Sequence, residues 1–105
     1  MAATAELQKE LMFLLEQIGE FKSEPKKESI HIVHGKAFVG IHPKKSYLGV
    51  NLVLDKSKTS PRADKIEQIS LNRFHHFFKI ESKEQMNKSF VRLLQEAYNL
   101  TNLKK

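Results

Sequence analysis

Leu7, Leu11, Leu14, Leu15, Ile18 and Phe21 recur at helical spacing and fall on one stripe. Thr4 is placed to cap this helix and Glu6 to favour its dipole, while Gly19 weakens the last turn and Pro25 stops the helix by Glu24. Beyond the polar stretch SEPKKES the apolar period changes to two. Ile30 and Ile32, then Val39 and Ile41, flank Gly35-Lys36. A hairpin with that two-residue loop pairs His34 with Ala37, Ile32 with Val39 and Ile30 with Ile41. The four aliphatics then share one face and leave His31, Val33, Phe38, Gly40 and His42 on the other. After the turn HPKKS, Leu48, Val50, Leu52 and Leu54 alternate as a third strand, with Tyr47, Gly49, Asn51 and Val53 opposite.

DKSKTSPRAD has no apolar periodicity and contains Pro61, so a mobile loop is expected over about residues 55–65. Ile66 and Ile69 suggest a short strand. Phe74, His76, Phe78 and Ile80 line one side of another, with His75, Phe77 and Lys79 on its reverse. The spacing leaves the pairing of these last two strands open. Ser82 to Gln85 has capping-box spacing and is expected to start a helix whose stripe is Met86, Phe90, Leu93, Leu94, Ala97 and Tyr98. The pattern predicts an α+β fold, an antiparallel sheet of about five strands with the N-terminal and C-terminal helices packed on one face. A single domain over residues 1–105 is expected, its ordered core running from about residue 5 to 100.

Composition narrows the chemistry more than the fold. The 105 residues are 40% apolar and 29% charged, ordinary for a globular chain. No cysteine is present, which excludes disulfides, thiolate metal sites and a cysteine nucleophile. MAATAELQKEL lacks the basic and apolar regions of a signal peptide, and no apolar run is long enough to span a membrane. A bacterial-type cytoplasmic location is the default expectation. The formal charge is +6, and it is regional. Acids outnumber bases from Glu6 to Glu28, whereas Lys36, Lys44, Lys45, Lys56, Lys58, Arg62, Lys65, Arg73 and Lys79 face only Asp55, Asp64 and Glu67. Such a balance favours anionic partners.

The segment EPKKESIHIVHGKAFVGIHPKKSYLGVNLVL resembles a bacterial family catalogued as domain of unknown function 5655. Ile30 to His34, Ala37-Phe38, Pro43-Lys44-Lys45 and Leu48 to Leu54 carry the likeness, followed by His76, Ser82 and Ala97-Tyr98. It extends from about Leu7 to Tyr98. The family is found alone or appended to larger proteins, some resembling restriction-type nucleases, and the resemblance therefore implies an accessory or binding module.

The residues themselves offer one basic cluster. His42, Lys44, Lys45 and Tyr47 form a turn that Lys36, Arg62 and Arg73 are candidates to join, a composition suited to phosphates. Taken as turn residues alone, the lysines are more simply explained as solubilising a sheet end and guarding its edges. Tyr47 and Phe38 offer aromatic faces for base stacking, although a core position suits Phe38 better. Metal binding is not expected, because His75 and His76, adjacent in a strand, point to opposite faces, as do His31 and His34. His76 lies among core aromatics and needs a hydrogen-bond partner. No nucleophile elbow or glycine-rich phosphate loop occurs, and the Glu-x-Lys pairing of restriction-type nucleases is missing at Glu67-Gln68-Ile69.

The expected function is thus a non-enzymatic binding module without cofactor, for nucleic acid or another polyanion, using the face of His31, Phe38, Gly40, His42, Lys44, Lys45 and Tyr47. The alternative is a protein-interaction or self-associating module with an apolar patch of Val33, Phe38, Val53 and Phe77.

Overall fold

The computed structural model describes residues 4–59 and 63–101. Helix α1 (Thr4–Ile18) is followed by strands β1 (Lys22–Pro25), β2 (Ile30–His34), β3 (Lys36–Pro43), β4 (Leu48–Leu54), β5 (Lys65–Ser70) and β6 (Arg73–Ile80). A short 3-10 turn (Lys83–Gln85) leads into helix α2 (Lys88–Leu100). The strands form one antiparallel six-stranded sheet in the order β1-β2-β3-β4-β6-β5. The fold is α+β, with one strand more than the pattern predicts.

The added strand is β1, within the stretch read as polar connection. All four of its residues are exposed, so it pairs through backbone alone and leaves no apolar alternation in the sequence. At the other side of the sheet, β5 takes the edge and β6 is inserted beside β4. Burial accounts for the order. β6 contributes the buried His76, Phe78 and Ile80 and gains from neighbours on both sides, whereas β5 is exposed throughout.

The core joins Leu7, Leu11 and Leu15 of α1 to the Leu48, Val50, Leu52 and Leu54 row of β4 and to Phe90, Leu93, Leu94 and Ala97 of α2. Both helices touch β3 and β4 and each other. Full burial of each such aliphatic or aromatic side chain is worth about 1.5–3 kcal/mol, which outweighs the modest intrinsic preference of either helix.

The β2–β3 hairpin departs from the expected register at its tip. Ile30 pairs with Ile41 and Ile32 with Val39, as the alternation predicts, but Val33 pairs with Ala37 and His34 with Lys36. Gly35 alone makes the turn, with φ of +82° that glycine adopts without a Cβ penalty. The shift leaves Phe38 as the extra residue of a bulge, and Phe38 and Val39 are both buried. Phe38 therefore leaves the face expected for it and meets Tyr98 edge-on, ring centroids 5.4 Å apart. Tyr98 also stacks on His34 at 4.5 Å. The Thr101 hydroxyl donates to the Tyr98 carbonyl at 2.6 Å and so accepts from His34 Nδ1 at 2.8 Å.

Two helix starts also differ. Thr4 is the first residue of α1, and its hydroxyl donates to the Lys44 carbonyl at 2.8 Å, tying the helix to the β3–β4 turn. Gln85 Oε1 accepts from the N–H groups of Glu81 and Ser82, but this arrangement closes only the 3-10 turn. Helix α2 starts later, where the Asn87 side chain accepts from the Phe90 N–H at 3.1 Å. Among the described residues no helix is long and apolar enough to cross a membrane.

Candidate functional site

Strand pairing brings one end of the sheet into a basic and aromatic concavity. On the face opposite the β4 leucine row, His42 of β3 lies across from Gly49 of β4, and Gly49 lies across from Lys79 of β6. One row further along, Gly40, Asn51, Phe77 and Lys65 follow one another across β3, β4, β6 and β5. The β3–β4 turn closes the end, held by a Lys44 N–H to Tyr47 carbonyl bond of 2.9 Å and by Thr4. The resulting concavity, about 360 Å³, is lined by His42, Lys44, Tyr47, Gly49, Asp64, Lys65, Phe77 and Lys79, with Val50 and Phe78 behind them. Glycine suits position 49 because a Cβ there would press on the His42 carbonyl oxygen at 3.2 Å.

Lysine ammonium groups sit over the two aromatic rings. Lys79 Nζ is 5.1 Å from the Tyr47 centroid and Lys65 Nζ is 5.6 Å from that of Phe77. The only carboxylate lining this concavity among the described residues, Asp64, accepts the backbone N–H of Lys79 at 2.7 Å. The site presents three ammonium groups, those of Lys44, Lys65 and Lys79, against this one carboxylate. Lys44 also borders a neighbouring groove of about 580 Å³ shared with Lys45 and with Lys26, Lys27 and Glu28 of the β1–β2 turn, where Lys26 pairs with Glu24 at 3.8 Å. Two adjacent turns thereby extend the basic rim along one end of the sheet.

His42 loses its proton more readily than an ordinary histidine, first through burial and then through the charges of Lys44 and His31, although the nearby Asn51 side chain acts the other way. Burial likewise lowers His75, against a smaller opposing effect of Glu67. Both rings hold protons less readily in the folded chain than when unfolded, where the reference is 6.5. Their contribution to stability is therefore present above pH 6.5 and is lost as pH falls through the folded values. Melting temperature should decline on acidification from about pH 7.5 to 5.5, and a His42→Gln/His75→Gln variant should show a shallower decline in thermal scans across that range.

Of the sequence candidates, His42, Lys44 and Tyr47 meet in the concavity and Lys45 lies in the adjoining groove. Lys36 pairs with His34 at the β2–β3 turn, and Arg73 begins β6 where it pairs with Ser70, so both stand at the other end of the sheet. Arg62 lies outside the described residues. Phe38 is absent from this face, because the bulge turns it into the core, and the apolar patch expected with Val33, Val53 and Phe77 loses one of its two phenylalanines for the same reason. Lys65, Phe77 and Lys79 join the site only because β6 lies between β4 and β5. The alternation in β6 groups Phe77 with Lys79 and is the one trace of this arrangement in the sequence.

His76 belongs to the core, fully buried on the reverse of this face. Its Nε2 donates to the Lys56 carbonyl at 2.7 Å, while Nδ1 has no hydrogen-bond partner among the described residues. Lys56 Nζ in turn pairs with Glu96 of α2 at 2.7 Å, so the start of the β4–β5 connection is held at two points. Among the described residues no group of three or more histidine or acidic side chains is arranged to hold a metal ion.

A family model described as a domain of unknown function, DUF5655, matches residues 1–101. No curated protein and no solved structure matches the chain.

Proposed function

The chain belongs to the DUF5655 family, and we propose that it is a non-enzymatic binding module for single-stranded nucleic acid. In this reading both helices cover one face of the sheet and the opposite face receives the ligand. The observation that carries it is the seating of Lys79 and Lys65 over the Tyr47 and Phe77 rings in one concavity. Bases stack on aromatic faces whatever their identity, and phosphates follow the ammonium groups, which is the chemistry of sequence-tolerant single-strand binding. The adjoining groove of Lys26, Lys27, Lys44 and Lys45 continues the backbone path past the stacking site. His42, which gives up its proton more readily than an ordinary histidine, contributes a hydrogen-bonding edge rather than charge.

The test is fluorescence anisotropy with labelled single-stranded and duplex DNA and RNA oligonucleotides at about 50 and 200 mM salt. Single strands should bind better than duplexes, with affinity falling steeply over that interval. Lys44→Ala/Lys45→Ala should weaken binding and flatten the salt dependence by about 1.4 in the log–log slope if two phosphate contacts are lost. Absence of binding at low salt, or a duplex preference, would overturn the proposal.

A further inference from the structure

The sheet ends on one side in β5, whose outer edge has no strand partner among the described residues. The two sheet edges differ. β1 has four residues and finishes in Pro25, a residue that cannot donate to a further strand. β5 is longer, contains no proline, and exposes every residue, including Ile66 at 38% and Ile69 at 51%, with Leu71 just beyond it at 83%. An exposed apolar edge of this kind is a template for another strand.

We propose that this edge pairs with β5 of a second copy of this chain, antiparallel and centred on Ile66, to form a dimer with one continuous sheet. Charge complementarity selects the occupant and the register. With Ile66 opposite its own symmetry mate, Lys65 of each copy lies opposite Glu67 of the other, and Asp64 lies opposite Gln68. Lys65 and Glu67 share a face, opposite Phe77 and His75 of β6, so the cross-copy pairs form on that face. Centring the seam on Lys65 or on Glu67 would instead set like charges opposite one another. A register pairing Ile66 with Ile69 is disfavoured because the β5–β6 ladder shifts between Gln68 and Ser70, taking Ile69 out of the regular strand.

The two-fold axis then runs through the sheet, and both concavities open on the same side of the dimer. Six residues of strand make a seam of about 20 Å, short for a stable dimer, so association is concentration-dependent. The dimer does not depend on the nucleic-acid reading and is measured without any ligand.

Sedimentation velocity between about 5 μM and 1 mM should show a monomer–dimer equilibrium. Lys65→Glu or Glu67→Lys alone creates two like-charge pairs by symmetry and should weaken dimerisation about tenfold, and the Lys65→Glu/Glu67→Lys exchange should restore it. Because the chain lacks cysteine, Ile66→Cys supplies a clean probe. Directly opposed residues have Cα atoms about 4.5–5.5 Å apart, within disulfide range. Mild oxidation should cross-link Ile66→Cys far faster than Leu71→Cys. A monomer at every concentration, a dimer indifferent to the single charge reversals, or equal cross-linking at both positions would overturn the proposal.

Discussion

Phe78→Ala is expected to lower the free energy of unfolding by about 3–5 kcal/mol. Phe78 is 6% exposed, in a strand flanked on both sides, and its ring meets that of Phe90 edge-on with centroids 5.3 Å apart. Phe90 is fully buried on α2, so truncation at position 78 removes a contact between sheet and helix. The neighbouring core is formed by residues that are themselves constrained on a strand or helix, which limits collapse into the vacated space. For a domain of this size the loss corresponds to a melting-temperature decrease of about 12–40 °C. Urea denaturation followed by circular dichroism measures it directly. Phe13→Ala is the matched comparison, since Phe13 is 56% exposed on α1 and should change stability by only about 0.5 kcal/mol. Equal effects of the two substitutions would contradict the facing of β6.

The contrast between those phenylalanines explains which parts of the fold are legible in the sequence. A buried side chain imposes a period on its neighbours. The leucines of α1, the alternation of β4 and the His76, Phe78, Ile80 row of β6 all announce themselves in that way. β1 buries nothing and carries no such signal. The bulge that turns Phe38 inward leaves the local pattern ambiguous, because one inserted residue exchanges the two faces and the ring that Phe38 meets, Tyr98, lies sixty residues away in sequence. The same distinction divides the candidate site. His42, Lys44 and Tyr47 are neighbours in a turn, so their proximity is local, whereas Lys65 and Lys79 reach them only through strand order. Lys36 and Arg73 share the basic composition but stand at the opposite end, which composition does not encode.

Strand order also makes the stacking chemistry separable from charge. Tyr47→Ala/Phe77→Ala is expected to remove most of the single-strand affinity, with each lost stack costing about 1–3 kcal/mol. Heparin supplies charge without bases to stack, so its binding should persist through the retained Lys44, Lys45, Lys65 and Lys79. Both rings are half-buried, and the variant must therefore first be shown to be folded. Tyr47→Leu/Phe77→Leu provides a second arm, keeping apolar bulk while removing the π faces. If leucine restores stability but not oligonucleotide binding, stacking is the interaction lost. If the leucine variant binds single strands as the parent does, the bases do not rest on these rings, and the lysines act as a polyelectrolyte surface alone. In that case affinity should follow net charge and salt, with single strands and heparin equally good ligands.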